Sequence, residues 1–383
     1  MFHSLMVSTA AEKEMIDVHA IQSTPIAIRL ASLVTTGIAA TSSILPAADE
    51  SFPHVADDLE VSLFAREPLV RNPCAITFDA QGRLCVGMGP QYRSPKPDTP
   101  ADSVWIVTDT DGDGLADTRK EFATGFNAIQ GLAWKGRDLW VANAPDLTIV
   151  RDFDGDDRAD EHVRVFTDLG NLEHGLHGLN FGPDGRLYMS KGNSKGLTIV
   201  PDRIAPAPFR ELWGVDLPPS TPEPAPVRFT SDGYRKNYHD PRDDWGTTGG
   251  ILRCEDDGSD LEIVSRGFRN PWDIAFDHEF NWLGTDKDQT MGDNIFAPFF
   301  GANFGWGHSW SYDWKGDEHL PTAPSSGPLF EGSGAGVIWC GIEGYPERYR
   351  DVFLINDWLN REVLIFRGAW DGAWRKADRS KLE

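Results

Sequence analysis

The sequence has few cysteines, and none of them is spaced to bind a metal or haem. Only four occur in 383 residues: Cys74, Cys85, Cys254 and Cys340. No pair forms a CxxC or CxxCH pattern, which excludes c-type haem attachment and the common zinc motifs. In an exported protein four cysteines allow three disulfide pairings, and buried free thiols are an equal alternative. The sequence does not choose among these.

Basic residues are also scarce relative to acidic ones. Lysine and arginine number 36 against 59 aspartates and glutamates, which gives a formal net charge of −23. Such a surface repels nucleic acids and anionic membranes, so neither is expected as a partner. Strong acidity is typical of a soluble exported protein or of one that binds cations.

Long hydrophobic runs are missing except near the N-terminus. Arg29 precedes the mostly apolar stretch Leu30–Leu45, which is too short to span a bilayer and ends in small residues. The pattern predicts an export signal over residues 1–48 and a periplasmic or extracellular protein without a membrane span; a disordered tail is the alternative. Three acidic residues precede Arg29, namely Glu12, Glu14 and Asp17. Acidic residues are unusual at the beginning of an export signal, which favours a translation start downstream of Met1.

Aromatic residues, glycine and proline are plentiful, and they indicate an all-β protein. The chain has 14 Trp, 21 Phe, 38 Gly and 26 Pro. Several segments share one pattern, a short apolar strand, a polar turn and a second apolar strand. An aromatic residue ends the first strand of each unit: Phe78, Trp134, Phe181 and Phe276.

The distances between these aromatic residues predict a β-propeller over residues 49–383. The first two gaps are 56 and 47 residues, which suits four-stranded blades. The third gap, 95 residues, fits one blade plus an insertion of about fifty residues. The proline-rich segment 201–248 is that insertion, and we expect it to form a long ordered loop.

The number of repeats predicts an incomplete ring. A fifth unit follows at 350–356 and 363–367, and only sixteen residues remain after Arg367. We therefore expect a propeller with about five blades, incomplete at the C-terminus. The early strand Leu59–Phe64 is expected to join the last blade. An open sheet edge promotes aggregation, which favours a truncated chain over an open ring.

Two acidic loops repeat one spacing. Each has aspartates at positions 1, 3, 5 and 9: Asp109, Asp111, Asp113, Asp117 and, 43 residues later, Asp152, Asp154, Asp156, Asp160. Alternating carboxylates in a tight turn resemble the first part of an EF-hand loop and predict Ca²⁺ binding. Lys120 and Val163 stand where the ligating glutamate would be, and Asp157 replaces the turn glycine of the second loop. We therefore expect weaker or incomplete sites, with solvated acidic turns as the alternative.

His174 is the candidate catalytic base. It lies in a glycine-rich segment just before the strand of its repeat, which predicts a place near the propeller axis. A neutral imidazole there could accept a hydroxyl proton. His177 could support or replace it. A satisfied structural histidine is the alternative.

A second group of polar residues occupies the matching position of the next repeat. Arg269 and Asn270 precede its strand, where the guanidinium could neutralise an anionic oxygen and the amide could add a hydrogen bond. An arginine that bridges blades is the alternative. Further along, Asp286, Lys287 and Asp288, with Asp293, follow the next strand and could bind a cation or orient a cofactor.

These residues resemble those of the soluble quinoprotein glucose/sorbosone dehydrogenases. The similarity covers Leu59 to Arg367. It rests on four elements: His174 eight residues before the turn at 182–184, the segment 267–271, the segment 303–306 and the segment 361–367. The sequence is more similar still to exported "membrane-bound dehydrogenase" proteins of planctomycete-type bacteria, which usually add a cytochrome c module that this chain does not contain.

The resemblance implies a fold, cofactors and residue roles. It implies a six-bladed propeller that uses pyrroloquinoline quinone (PQQ) and Ca²⁺, with a cytochrome c as electron acceptor. His174 would be the base, Arg269 and Asn270 would hold the quinone oxygens, and 286–293 would help to place PQQ and Ca²⁺. The family's cofactor-binding lysine is replaced by Asn360 or Arg361, and its downstream arginine pair would lie beyond Glu383.

Two functions follow from these patterns. The first is a PQQ- and Ca²⁺-dependent dehydrogenase that oxidises a sugar or related alcohol outside the cytoplasm. In it His174 is the base, Arg269 stabilises negative charge and Ca²⁺ polarises the quinone. The second is a non-catalytic, Ca²⁺-stabilised propeller that binds carbohydrate or protein. The missing lysine favours the second, and the set formed by His174, Arg269 and Asn270 favours the first.

Overall fold

In a computed structural model the chain is almost entirely β-sheet. The structure describes residues 4–9, 52–92, 98–171, 173–196, 203–234, 245–288, 293–306, 322–323, 325–330, 333–341, 343–372 and 374–381. The predicted export segment, apart from residues 4–9, lies outside these residues. So do parts of the predicted insertion, 201–202 and 235–244.

The described residues form 24 strands, one short α-helix and one 3₁₀ turn. In chain order the first twelve strands are β1 (Ser4–Thr9), β2 (Leu59–Ala65), β3 (Pro73–Phe78), β4 (Leu84–Met88), β5 (Asp102–Thr108), β6 (Thr118–Phe126), β7 (Ile129–Lys135), β8 (Asp138–Asn143), β9 (Asp146–Arg151), β10 (Glu161–Phe166), β11 (Leu176–Phe181) and β12 (Leu187–Lys191). Helix α1 (Ala207–Trp213) follows. The remaining elements are β13 (Val227–Thr230), β14 (Gly249–Cys254), β15 (Glu262–Phe268), β16 (Pro271–Phe276), β17 (Trp282–Asp286), β18 (Asp293–Phe296), β19 (Ala302–Asn303), β20 (Gly327–Phe330), β21 (Gly334–Cys340), the 3₁₀ turn Glu347–Tyr349, β22 (Val352–Asp357), β23 (Glu362–Asp371) and β24 (Trp374–Lys381).

These strands build five sheets in chain order and one separate pair. Sheet 1 is β3-β4-β5-β6, sheet 2 is β7-β8-β9-β10 with β13 on its edge, and sheet 3 is β11-β12-β14-β15 with β19 on its edge. Sheet 4 is β16-β17-β18-β20, sheet 5 is β21-β22-β23-β24, and β1 pairs with β2. The ladders are antiparallel except that between β15 and β19.

Successive sheets pack on one another as the blades of a propeller do. The first strand of each sheet packs against the first strand of the next: β3 on β7, β7 on β11, β11 on β16 and β16 on β21. Asp273, the third residue of β16, accepts a hydrogen bond from the N–H of Val337, the fourth residue of β21, at 3.0 Å. The first strands therefore begin at a common end of the molecule, which we call the upper end.

The hydrophobic core lies between successive sheets. Sheets 1 and 2 pack through residues such as Ile106 and Val141, and sheets 2 and 3 through residues such as Trp140 and Met189. Further clusters join sheets 3 and 4 and sheets 4 and 5. Each sheet is thus apolar on both faces, which explains the nearly continuous apolar strands of the repeats.

Strand β2 contacts both the last and the first sheet. Leu59 packs with Tyr349 and Val352 next to sheet 5, whereas Phe64 packs with Leu84 of sheet 1. The backbone of β2 forms its ladder with β1. The sequence predicted that this strand would join the last blade; its side chains meet that sheet, but its hydrogen bonds do not.

The insertion contains more regular structure than the expected loop. Pro206 and Pro208 begin α1, and Gly214 ends it in the left-handed conformation, at a φ of 66°. The buried residues Phe209 and Trp213 pack into the core between sheets 2 and 3. Strand β13, also within the insertion, extends sheet 2. The prolines of this segment, which predicted an absence of strands, thus also mark the beginning of a helix.

Two further predictions concern cysteines and membrane spans. All four cysteines are free thiols, three of them buried and Cys74 half-buried. Burial raises the pKa of Cys85 and Cys254 to about 12, so these thiols are not reactive at neutral pH. No helix of the described residues is long and apolar enough to cross a bilayer.

Candidate functional site

His174 is held in a tight turn at the upper end, just before β11. The side-chain oxygen of Asn171 accepts hydrogen bonds from the N–H groups of Glu173 and His174, at 3.0 and 2.8 Å. A Cβ at Gly175 would lie 2.4 Å from Asn171 O, so the turn requires glycine there. The histidine side chain is buried, with 5% of its surface exposed. The local sequence thus fixes the backbone turn that carries the imidazole.

A hydrogen bond fixes the tautomer of His174. Its Nδ1 lies 2.7 Å from Oδ1 of Asn193, the second residue after β12. Because an amide oxygen only accepts, Nδ1 carries the proton, and the lone pair of the neutral ring is on Nε2. Burial lowers the pKa of His174 to about 4, and the charges of Arg269, Lys191 and Lys287 contribute to this lowering. The imidazole is therefore neutral at pH 7, as a proton acceptor must be.

Lys191 supports the His174 turn from inside the protein. Its side chain is completely buried, and Nζ donates to the carbonyl oxygens of His174, Gly192 and Ser194 at 2.8, 2.6 and 2.7 Å. The ammonium also lies 5.1 Å from the centre of the Trp213 ring. Burial lowers the pKa of Lys191, while three carbonyl acceptors stabilise its protonated form. Its bonds tie the end of β12 to the beginning of β11.

The Arg269–Asn270 turn is clamped by the end of β17. The carboxylate of Asp286 accepts the N–H of Asn270 at 2.7 Å and that of Arg269 at 3.2 Å. In return, Lys287 N donates to Asn270 O, and a guanidinium nitrogen of Arg269 donates to Lys287 O, each at 3.1 Å. Burial raises the pKa of Asp286 to about 7. These four hydrogen bonds fix the Arg269–Asn270 turn at the upper end, where His174 also lies.

The two turns meet directly. Asn193 uses its side chain for His174 and its N–H for Arg269 O, at 2.9 Å. A Cβ at Gly192 would lie 2.5 Å from Asn270 Oδ1 and 2.8 Å from the Cα of His174, so this close approach requires glycine. The structure therefore brings His174, Arg269 and Asn270 together at the upper end.

Asn270 acts as a brace within this group. Its Oδ1 accepts from Nε2 of His177 at 2.9 Å, and its Nδ2 donates to Glu173 O at 3.0 Å. His177 is completely buried and stacks on Trp272 with the ring centres 4.1 Å apart. Burial lowers the pKa of His177 to about 3, which keeps it neutral. His177 thus supports Asn270, and through it the turn that carries His174.

Two tryptophans border the group. The Trp245 ring lies 4.7 Å from the His174 ring, centre to centre, at an interplanar angle of 63°. The guanidinium carbon of Arg269 lies 5.9 Å from the centre of the Trp306 ring. The site thus combines a neutral base, a cation and aromatic surfaces.

The acidic residues after β17 extend the group toward sheet 5. Asp288 donates its N–H to Oδ1 of Asp293 at 3.0 Å. The other oxygen of Asp293 is buried and accepts no hydrogen bond from the described residues. Burial raises the pKa of Asp293 to about 6. A buried carboxylate oxygen without a donor is suited to a cation ligand.

Arg361 stands in a different turn from these residues. It is exposed in the turn between β22 and β23, in the left-handed conformation at a φ of 57°. The neighbouring Asn360 is engaged with Asp357, which accepts both its N–H and its side-chain amide, at 3.1 and 2.9 Å. The turn lies at the upper end of sheet 5, but its hydrogen bonds hold it within that sheet and do not connect it to the turns of His174 and Arg269.

The acidic loops are well formed and closely alike. In the first, Asp109 accepts the N–H groups of Gly112 and Gly114; in the second, Asp152 accepts those of Gly155 and Asp157. Three carboxylates converge in each loop, with oxygens within 4.8 Å of one another: Asp109, Asp111 and Asp117, then Asp152, Asp154 and Asp156. Asp113 and Asp160 are not in these groups.

The departure from the EF-hand pattern at Asp157 has a structural reason. Asp157 adopts the left-handed conformation, at a φ of 62°. Its carboxylate receives two hydrogen bonds from the Arg83 guanidinium of sheet 1, at 2.8 and 2.9 Å. The Arg83 hydrogen bonds lower the pKa of Asp157. The residue that replaces glycine thus ties the second loop to the neighbouring sheet.

The acidic loops lie at the end of the sheets opposite to His174. They join the third and fourth strands of sheets 1 and 2, paired at Thr108–Thr118 and Arg151–Glu161. In an antiparallel sheet the third strand begins at the upper end, so its loop to the fourth lies at the lower end. A cation in these loops would stabilise the sheets but could not act on a group bound beside His174.

The sequence pattern missed Lys191, Asn193 and Trp245. Lys191 and Asn193 stand at the end of the second strand of the His174 repeat. Because β12 pairs with β11 so that Lys191 lies opposite Leu176, strand pairing alone would have placed them beside His174. Trp245 lies in the insertion, where no repeat signals its position.

Comparisons with known proteins identify the fold. Residues 47–207 match the model of a domain of unknown function, DUF7133. No curated protein matches the sequence. The chain resembles the PQQ-bound form of an aldose sugar dehydrogenase from Streptomyces coelicolor, at 16% identity and a TM-score of 0.53, over 82% of this chain and 81% of that chain. It also resembles a putative oxidoreductase from Thermus thermophilus described as a glucose dehydrogenase, at 15% identity and a TM-score of 0.52, over 82% and 84%. The chain therefore has the fold of these sugar dehydrogenases.

Proposed function

We propose that this protein is an exported, PQQ-dependent dehydrogenase that oxidises a hydroxyl group of a sugar or related alcohol. One observation carries the proposal: a buried, neutral His174 has its tautomer set by Asn193 and lies in the same group as Arg269. A base beside a cation suits removal of a hydroxyl proton where an anionic oxidant is bound. The fold shared with sugar dehydrogenases supports this proposal.

The residues of the site fit PQQ, which is flat and carries several carboxylates. Arg269 and Lys287 would hold the anionic groups, and the ring of Trp306, next to Arg269, would border the flat surface. When bound, PQQ supplies the acceptor for the hydride from the substrate carbon. Asp288 and Asp293 would hold the accompanying Ca²⁺, because a buried oxygen of Asp293 has no donor among the described residues.

The chain's own residues would then perform proton transfer and orientation. Nε2 of His174 accepts the substrate hydroxyl proton, while Asn193 keeps the proton on Nδ1. Lys191 and Asn171 hold the His174 backbone, so the base does not need to reorganise. Asp286 fixes the Arg269 turn by its two hydrogen bonds. Asn270 joins the two turns and serves as a positioning residue.

Reconstitution tests the proposal. The purified protein should reduce a dye with an aldose sugar only after PQQ and Ca²⁺ are added. His174→Gln should lower kcat by about 10²- to 10⁴-fold, as expected for loss of a general base, while the protein still shifts the PQQ absorbance. If wild type and His174→Gln show equal dye reduction, His174 is not the base.

The second candidate is a non-catalytic, Ca²⁺-stabilised propeller that binds carbohydrate or protein. The two acidic loops favour it. They lie at the lower end, so a cation bound there would stabilise the sheets and take no part in chemistry at His174. Asn360, one of the two residues that could stand in place of the expected cofactor-binding lysine, also has its side chain engaged with Asp357. Stabilisation by Ca²⁺ without any change in PQQ absorbance would favour this candidate. A cytochrome c acceptor and the kinship with planctomycete-type dehydrogenases also remain proposals.

A further inference from the structure

Trp245 presents an exposed aromatic surface beside a buried base. With 46% of its surface exposed, it contrasts with His174 at 5%. Its ring centre lies 4.7 Å from that of His174, and the rings are inclined by 63°. The indole therefore contacts the histidine on one side and leaves nearly half of its surface to solvent at the upper end.

The backbone holds Trp245 firmly in this position. It forms an antiparallel bridge with Ser194, and the next residue, Gly246, donates its N–H to Asn193 O at 2.8 Å. A Cβ at Gly246 would lie 2.6 Å from that of Trp213, so the chain is closely packed there. Asn193 therefore fixes both the base, through its side chain, and the tryptophan, through its carbonyl oxygen.

The chemistry of an exposed indole indicates its ligand. A pyranose ring has one face of C–H groups and a rim of hydroxyls, so it can cover an aromatic surface while its hydroxyls remain available to polar groups. Arg269 and Lys287, the cations of the site, suit an anionic group instead. An uncharged pyranose would thus lie against Trp245, whereas an anionic group would lie against Arg269 and Lys287.

We propose that Trp245 is the platform on which a pyranose substrate stacks, with a ring hydroxyl directed to His174. This rests on the proposed function and adds to it a residue that selects a cyclic sugar over an open-chain polyol. Because one short segment, residues 192–194, holds both side chains, the separation of platform and base is fixed. That separation determines which hydroxyl reaches Nε2.

The first test measures binding without the cofactor. Titration of the protein with methyl β-D-glucopyranoside, followed by calorimetry or saturation-transfer NMR, should show binding that Trp245→Ala weakens on the order of tenfold. Trp245→Phe should retain most of it. Trp370→Ala removes another exposed tryptophan, 63% exposed, from the β23–β24 hairpin and should bind as wild type does. No binding by wild type, or equal binding by wild type and Trp245→Ala, would refute the platform.

The second test compares turnover of a pyranose and of sorbitol by the PQQ-loaded protein. Trp245→Ala should raise KM for the pyranose much more than for sorbitol. An equal loss of kcat for both would mean that Trp245 only supports His174, and would overturn the proposal. If wild type binds the glucoside but reduces no dye, the platform stands and the dehydrogenase proposal fails.

Discussion

Nδ1 of His174 lies 2.7 Å from Oδ1 of Asn193, and this contact determines which imidazole nitrogen can accept a proton. The same asparagine donates its N–H to Arg269 O, so it links the candidate base to the candidate anion-binding residue. A neutral amide at this place fixes the tautomer without adding negative charge. Two substitutions can therefore separate its geometric role from its electrostatic one.

Replacement of Asn193 by alanine should lower activity without unfolding the protein. The imidazole would lose the acceptor that keeps the proton on Nδ1, and the lone pair would no longer be confined to Nε2. We expect kcat to fall by about 10²-fold, within the range for impaired general-base catalysis. The far-ultraviolet spectrum and the melting temperature check the fold. An unchanged kcat would show that His174 is oriented by other contacts.

Replacement of Asn193 by aspartate should shift the pH profile. In the wild type, burial lowers the pKa of His174 to about 4. The base should therefore stay unprotonated down to about that pH, and kcat/KM should fall only below about pH 5. A carboxylate stabilises the imidazolium and raises its pKa. The acidic limb of Asn193→Asp should therefore lie at higher pH. A wild-type limb near about 6.5, the ordinary histidine value, or an unshifted limb in the variant, would contradict this.

Lys191→Met should destabilise the protein because it removes one donor from three buried carbonyl oxygens. We expect a loss of about 3 kcal/mol or more in the free energy of unfolding, measured with urea. Lys135→Met is the matched control, since this half-buried lysine donates one hydrogen bond, to Gly185 O. Its effect should be about 1 kcal/mol. Equal effects of the two substitutions would mean that Lys191 does not support the turn.

The sequence predicts the sheets better than it predicts the site. The apolar pairs around Phe78, Trp134, Phe181 and Phe276 form the first two strands of sheets 1 to 4, because strand periodicity is a local property. The convergence of His174 with Arg269 follows from equivalent positions in successive repeats. Trp245 could not be predicted, because its place depends on how the insertion folds back over β12, through contacts between residues distant in sequence.

The acidic loops and the His174 group are predicted as separate sites, and the structure places them at opposite ends of the sheets. Spacing alone predicted the turns around Asp109 and Asp152, and the structure shows the same hydrogen bonds in both. A Ca²⁺ bound in such a loop could polarise a quinone beside His174 only if the loop lay near His174. Strand order places the loops at the lower end and His174 at the upper end, which separates the two roles.

Removal of Ca²⁺ should lower the melting temperature through the acidic loops. Three converging carboxylates repel one another unless a cation neutralises them, and a ligand that binds only the folded state stabilises it. We expect a chelator to lower the melting temperature by about 5 °C. Asp111→Ala and Asp154→Ala should each remove part of this difference, and the double substitution nearly all of it. Asp256→Ala removes an exposed acidic residue from the β14–β15 turn and should leave the difference intact. If the chelator does not change the melting curve of the wild type, the loops are acidic turns without a bound cation.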